Sequence, residues 1–173
     1  MTRIYTRSGD QGKTGLANGS RLAKNDPLFE VIGDIDELNA QLGMVRAVNQ
    51  QADIDKQLSQ IQHKLFDLGA QVAQYKANNV DGDDISTVEN WIDYWQRQLP
   101  ELKQFILPAG TLAGSSAHLA RSICRRAERK AWQASVNHEL EAEIMQFLNR
   151  LSDYLFVLAR VLNQGNEVFW QAQ

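Results

Sequence analysis

The chain has 173 residues, 43% of them apolar, and a formal net charge of −3. That length can bury a substantial core in one folded unit, and the acidic balance excludes a nucleic-acid binder that works through overall charge. One cysteine, Cys124, excludes an internal disulfide and a Cys-based zinc site, and no run is apolar and long enough to cross a membrane.

The charge is uneven. Residues 1–25 hold Arg3, Arg7, Lys13, Arg21 and Lys24 against Asp10 alone, a local +4 that leaves −7 for the rest. This stretch does not read as a helix. Thr6-Arg-Ser-Gly-Asp-Gln-Gly-Lys-Thr-Gly15 is rich in glycine and hydroxyls, a backbone that can turn its N–H groups onto an anion. It is not a P-loop: Gly9 is only three residues before Gly12, and Arg7 occupies the place where that motif needs glycine. The residues alone leave two readings open, a phosphate-cradling loop or a basic tail. The N-terminus has no apolar h-region of a secretion signal, so a cytoplasmic protein is expected.

Asp26-Pro27 starts a first helix, which runs to about Asn49 on Val31, Ile35, Leu38, Leu42 and Val45. Asp36, Asn39, Gly43 and Arg46 form a second, polar stripe that could meet another surface. The second helix, about Asp53 to Tyr75, keeps Leu58, Ile61, Leu65, Leu68 and Val72 at strict core spacing, with His63 on its surface. After a polar loop, Ser86-Thr-Val-Glu89 fits a capping box. It opens a third helix through Val88, Ile92, Trp95 and Leu99 to Pro100. Phe105-Ile-Leu-Pro108 is too apolar for an ordinary solvent loop, and Phe105 is either a core plug or the wall of a ligand pocket. Ala109 to Ser116 breaks the pattern and leads into a fourth helix, ending near Ser135.

That fourth helix concentrates the charge chemistry. Arg121, Arg125 and Arg129 fall at i, i+4 and i+8, with Arg126 and Glu128 beside them. Leu119, Ala120, Ile123, Cys124, Ala127 and Ala131 cover the other side. A row of planar guanidinium forks suits phosphate oxygens. A solvated face, or ion pairs between packed helices, is the alternative. The fifth helix, about Asn137 to Asn163, carries a stripe from Leu140 through Ile144, Phe147, Leu148, Leu151, Leu155 and Leu158 to Leu162. Asn149, Asp153 and Arg160 cluster on its opposite face, and Val168-Phe-Trp170 is expected to fold back on the bundle. Five helices with short or moderate connections favour antiparallel neighbours.

None of His63, His118 and His138 follows a glutamate by three residues, so a di-iron carboxylate site is not indicated, and no nucleophile elbow is present. What remains is a basic glycine loop, an arginine face and oxygen donors such as Asp36, Asn39, Asn149 and Asp153. That set suits a triphosphate with a hard cation.

Taken in order, these stretches resemble the PduO-type ATP:cob(I)alamin adenosyltransferases. The likeness is carried by Thr6 to Thr14, Asn18-Gly-Ser-Arg-Leu-Ala-Lys24, Gly33-Asp-Ile-Asp-Glu-Leu-Asn39 and Ile61-Gln-His-Lys-Leu-Phe-Asp-Leu-Gly69. Phe105 to Pro108, Arg121 to Arg129 and Asn149-Arg-Leu-Ser-Asp-Tyr-Leu-Phe156 complete it. One departure is Pro108-Ala109-Gly110, where the family has Pro-Gly-Gly.

The resemblance implies one all-α domain over 1–173, with an irregular ATP-binding segment at 1–25 and a five-helix bundle at 26–173. It implies a homotrimer with active sites between subunits. The reaction would transfer the 5′-deoxyadenosyl group of ATP to the cobalt of cob(I)alamin or a related corrinoid, releasing triphosphate. Thr6, Arg7, Ser8, Gly9, Lys13, Thr14 and Lys24 would wrap the ATP. Arg125, Arg126 and Glu128 would line its site, and Asn149 would meet the phosphates or their Mg²⁺. Arg125, Phe105 and Asn149 would be the catalytic set, with Phe105 against the lower face of the corrin. Asp36 and Arg121 would pair across the subunit boundary. A flavin-dependent reductase and an adenosylcobalamin-dependent enzyme would be partners; nucleic acid and membrane would not. The residues themselves also suit another ATP-dependent enzyme, such as a nucleotide hydrolase, or a non-catalytic helical module for acidic partners.

Overall fold

The structure, a computed structural model, describes residues 4–75 and 78–171. Five helices carry it: α1 (Pro27–Val48), α2 (Ala52–Val72), α3 (Gly82–Gln96), α4 (Leu112–Ala134) and α5 (Ala142–Asn163). They pack in the spatial order α2–α1–α4–α5–α3. The expected stripes are the core: Val31, Ile35, Leu38, Leu42 and Val45 of α1, and Leu58, Ile61, Leu65, Leu68 and Val72 of α2, are all buried. On α5 the stripe from Ile144 to Leu162 is buried as well. Between α1 and α5, α4 presents Ala117, Ala120, Ala127, Ala131 and Ala134. Small side chains let three helix backbones approach closely there.

Caps set the boundaries. The Asp26 carboxylate accepts from the Leu28 amide at 3.0 Å, and Pro27 opens α1 as its sequence predicts. The third helix corrects the expectation. Its capping box is Asp81 with Asp84, not Ser86 with Glu89, because Asp81 already takes the Asp83 and Asp84 amides at 2.9 and 3.1 Å. The helix also stops at Gln96, before Pro100. On α4, Thr111 caps by accepting from Gly114 at 3.0 Å, so the helix starts inside the glycine–serine stretch expected to interrupt it. Helix α5 starts at Ala142, five residues later than its stripe suggested.

The N-terminal segment is not wholly irregular. Strands β1 (Lys13–Gly15) and β2 (Arg21–Ala23) form an antiparallel hairpin with Lys13 opposite Ala23. Its tip is tied to the end of α2. The Ala17 amide donates to the Ala73 carbonyl at 2.9 Å, Asn18 Nδ2 donates to Gln74 Oε1 at 2.6 Å, and Leu16 is buried.

Candidate functional site

The arginine face of α4 separates into two jobs. Arg126 turns toward α1, where its Nε donates to Asp34 at 3.1 Å and its terminal nitrogen meets Glu37. Lys130, one turn on, joins Asp34 at 3.4 Å and Glu30. The Asp34 hydrogen bond holds Arg126 more firmly in its charged form. Arg125 points outward and makes no side-chain hydrogen bond or ion pair among the described residues. Glu128, on the same side one turn away, accepts from Asn149 Nδ2 of α5 at 3.1 Å. Asn149 Oδ1 is only loosely engaged, by Arg150 at 3.4 Å. A free guanidinium, a carboxylate and an amide oxygen therefore converge on one α4–α5 surface. Leu119, assigned to the apolar side by periodicity, is 54% exposed on α4's outer face, and Leu112 and Trp132 are exposed as well.

The loop before β1 is a compact polar turn. The Thr6 and Ser8 hydroxyls lie 2.8 Å apart, and Arg7 takes a left-handed backbone with φ 61°. The Gly12 amide donates to Gly9 O at 3.2 Å, and Arg21 donates to the carbonyls of Ser8 and Lys13 at 2.6 and 3.1 Å. Lys24 lies across the turn: a Cβ on Gly9 would come within 3.2 Å of its Nζ. Thr14 sits opposite Leu22 in the hairpin, and Lys13 is exposed at its edge. Lys24 thus lies on a turn whose Thr6 and Ser8 are exposed, while the Arg7 guanidinium sits over the Tyr5 ring at 5.6 Å.

A third group surrounds Phe105, which is 80% exposed; the core-plug reading is wrong. A cavity of about 220 Å³ beside it is lined by Leu102, Ile106, Pro108, His118, Arg121 and Phe156. His118 is buried, neither ring nitrogen has a hydrogen-bond partner, and its ring meets Phe156 edge-on at 6.2 Å. Burial, then the charge of Arg121, push its pKa down; Glu167 opposes them. Arg121 itself has a buried, unpartnered Nε, and burial together with Arg125 lowers its pKa. The neighbouring turn explains why Ala109 is accepted. The positive φ, +117°, belongs to Gly110, where a Cβ would lie 2.4 Å from Asn163 Oδ1, whereas Ala109 has no positive φ.

The cobalamin adenosyltransferase family matches residues 4–162. The chain belongs to that family. A "Cobalamin adenosyltransferase" of Cupriavidus metallidurans is 40% identical over 177 residues, covering 100% of this chain and 96% of that one. A "Corrinoid adenosyltransferase" of Mycobacterium leprae is 40% identical, covering 99% and 96%. A variant PduO-type ATP:corrinoid adenosyltransferase from Lactobacillus reuteri, solved with cobalamin and ATP, superposes with a TM-score of 0.91. It is 32% identical and covers 98% of this chain and 100% of its own.

Within this cobalamin adenosyltransferase family member, the expected site residues fall into separate places. Arg125, Glu128 and Asn149 come together. Thr6 to Lys24 come together elsewhere, and among the described residues no hydrogen bond or ion pair joins that loop to Arg125, Glu128 or Asn149. Arg121 lies with Phe105. Asp36 is exposed in a groove of about 390 Å³ between α1 and α2, beside Phe29, Ile32, Asn39, Leu65 and Phe66, so it does not meet Arg121 inside one chain. Most of its polar stripe serves α2 instead: Asn39 donates to Gln62 O at 3.2 Å, and Arg46 pairs with Asp55 at 2.8 Å. Arg160 does not share a surface with Asn149; it is buried against Glu167. His118, Phe156 and Arg160 were not singled out as site residues. The signal for Arg160 is a charge seven residues after Asp153 and seven before Glu167.

No helix among the described residues is long and apolar enough to cross a membrane. Nor do three or more His, Cys, Asp or Glu side chains gather there to hold a metal ion.

Proposed function

We propose that this chain transfers the 5′-deoxyadenosyl group of ATP to the cobalt of cob(I)alamin or a related corrinoid. Co(I) uses its own electron pair on C5′. The cobalt–carbon bond forms as the C5′–O bond breaks, triphosphate leaves with the bonding pair, and the metal becomes formally Co(III). Such a reaction asks the protein for position and for charge on the leaving group rather than for a nucleophile or base. The observation that carries the reading is the unpartnered Arg125 beside the Glu128–Asn149 hydrogen bond, on a chain matched by the family along nearly its whole length.

In this reading Arg125 takes the developing triphosphate charge, and Glu128 orients Asn149. The Asn149 oxygen faces the phosphates or the Mg²⁺ that accompanies ATP. A hard cation bound mainly through phosphates needs few protein oxygens, and this pair supplies them. Thr6, Arg7, Ser8, Gly9, Lys13, Thr14 and Lys24 close over the nucleotide. Arg126 acts from behind, holding α4 to α1. Phe105 lies against the lower face of the corrin, displaces the axial ligand and makes Co(II) easier to reduce. The whole chain works as one domain, 1–25 for ATP and 26–173 as the bundle.

The working unit is a homotrimer with sites between subunits. Two observations support it: among the described residues no hydrogen bond or ion pair joins the loop or Asp36 to Arg125 or Arg121, and Met44, Phe66, Leu119 and Trp132 are exposed apolar side chains on α1, α2 and α4. A cytoplasmic location fits, with a flavin-dependent reductase supplying electrons and an adenosylcobalamin-dependent enzyme taking the product.

The test is anaerobic cob(I)alamin with MgATP, followed by absorbance for the cobalt–carbon bond and by triphosphate release. Phosphate release without corrinoid would instead mark a nucleotide hydrolase. Phe105→Ala should impair turnover started from Co(II) far more than turnover started from prepared Co(I). Equal losses together with a lowered melting temperature would refute its role at the corrin.

A further inference from the structure

We propose that the last turn of α5 is a clamp that fixes where Phe105 stands, with Arg160 and Glu167 as positioning residues for the reducing half of the reaction. The inference rests on the reading of Phe105 given above. Phe105 belongs to no helix and its ring is mostly in solvent, so core packing does not place it. A short ribbon does. The Leu107 amide donates to Val168 O at 2.7 Å, the Trp170 amide donates to Phe105 O at 2.8 Å, and Ile106 bridges Phe169. The Trp170 ring meets Phe105 at 6.5 Å, nearly perpendicular.

The far strand of that ribbon is weakly held by its own side chains, since Val168, Phe169 and Trp170 are all exposed. Its anchor is Glu167, whose carboxylate accepts from Arg160 Nε at 2.7 Å; the two side chains are 9% and 7% exposed. The same guanidinium donates to Pro100 O at 2.9 Å, on the chain that leads to Phe105. One turn further, Asn163 donates to Ala109 O at 2.9 Å and accepts from the Thr111 amide at 3.0 Å, on the chain that leaves Phe105. Arg160 and Asn163 therefore hold the segment from both sides, and Arg160 holds its partner strand as well.

A buried ion pair is a costly way to gain stability, and an apolar contact would serve that purpose as well. A planar guanidinium adds direction, because its N–H groups reach two acceptors at a fixed angle. Direction matters here because a one-residue slip in a ribbon turns every side chain to the opposite face. Such a slip would carry Phe105 away from the corrin.

The test uses the full-length enzyme with Arg160→Lys and Glu167→Gln, and Phe105→Ala in parallel. Three quantities are read: hydrogen exchange at the Leu107 and Trp170 amides, turnover from Co(II) with reduced flavin as one-electron donor, and turnover from prepared Co(I). Lysine cannot hold Glu167 and Pro100 as one fork does, so exchange should quicken roughly tenfold at both amides. Co(II)-started turnover should fall with it, while Co(I)-started turnover and the KM for ATP stay near the parent values. Glu167→Gln, which keeps the shape and loses the charge, should fall between the parent and Arg160→Lys.

Faster exchange with unchanged Co(II)-started turnover overturns the clamp, provided Phe105→Ala does impair that turnover. Equal loss from both cobalt states, or exchange that does not change, overturns it too. If Phe105→Ala itself leaves Co(II)-started turnover intact, the underlying reading of Phe105 has failed, and the clamp's role in reduction fails with it.

Discussion

Replacing Arg126 by alanine should cost stability before it costs nucleotide affinity. Its guanidinium bonds Asp34, whose side chain is only 9% exposed, while Arg126 itself is 38% exposed. Removing it leaves Asp34 with Lys130 alone, at 3.4 Å. Stranding a deeply buried charge costs about 3–5 kcal/mol, whereas an exposed pair is worth about 0–1 kcal/mol. One buried and one half-exposed partner, with a second cation in reserve, gives about 1–2 kcal/mol after solvent screening. For a chain of this size that lowers the melting temperature by roughly 2–8 °C. Arg125→Ala should do the reverse, moving stability by no more than about 0.5 kcal/mol because its side chain is exposed and unpaired. It should sharply reduce adenosyl transfer. Calorimetry and ATP titration on both variants settle the matter, with Asp34→Ala closing a double-mutant cycle whose coupling should be about 0.5–2 kcal/mol. An Arg126→Ala protein with an unmoved melt and badly weakened ATP binding would refute the reasoning and put Arg126 on the phosphates.

Asp36→Asn and Arg121→Ala should each weaken trimer assembly or ATP affinity, and the double change should fall short of their sum by roughly 0.5–3 kcal/mol; strict additivity with intact trimers would mean that the two do not pair. Protease should cut near Arg7 or Lys13 without nucleotide and be blocked by MgATP, and cleavage unchanged at saturating ATP would argue for a plain tail. Burial and Arg121 hold the His118 pKa below its ordinary 6.5, so below that pH the unfolded chain gains a proton that the folded one refuses. Stability should therefore fall on acidification, by at most about 1.4 kcal/mol per pH unit for this one group. His118→Gln should flatten the slope below about pH 6.5, and identical slopes in both proteins would exclude His118 as the source.

The stripes of α1, α2 and α5 were legible because each runs for about 22 residues and buries one face against a single core. What periodicity missed has local causes. The start of α3 lies earlier than the pattern places it because Asp81 and Asp84 form the box, a pair outside the Ser/Thr-x-x-Glu/Gln pattern that Ser86 and Glu89 fit. Leu119 was misassigned because a helix wheel gives angles but not how many neighbours a helix has. The α1-facing and α5-facing sides of α4 leave Leu119 outside both. The β1–β2 hairpin was missed because three-residue strands carry no period of their own. The clamp was hidden for a further reason: Arg160 and Glu167 are both charged, and composition assigns charges to solvent. Only the folding back of residues 165–170 buries them together.

The separation of these residues into three groups fits the chemistry proposed for them. A base-catalysed reaction would need a base with a tuned pKa within hydrogen-bond reach of the proton it abstracts. In the proposed reaction the attacking electrons belong to the corrinoid, so the tasks proposed for the protein are separable: grip the phosphates, orient the ribose, shield one face of the cobalt. The arginine face of α4, the loop before β1 and the Phe105 ribbon can each do one of these without touching the others. They need only be brought to a common substrate. A bundle whose α4 exposes Leu112, Leu119 and Trp132 around its arginines, and whose α1–α2 groove exposes Phe66 beside Asp36, offers apolar faces on which a second copy can do so. Charge at the centre and apolar surface around it is the arrangement that couples subunit association to substrate binding. Disrupting either one should therefore weaken both.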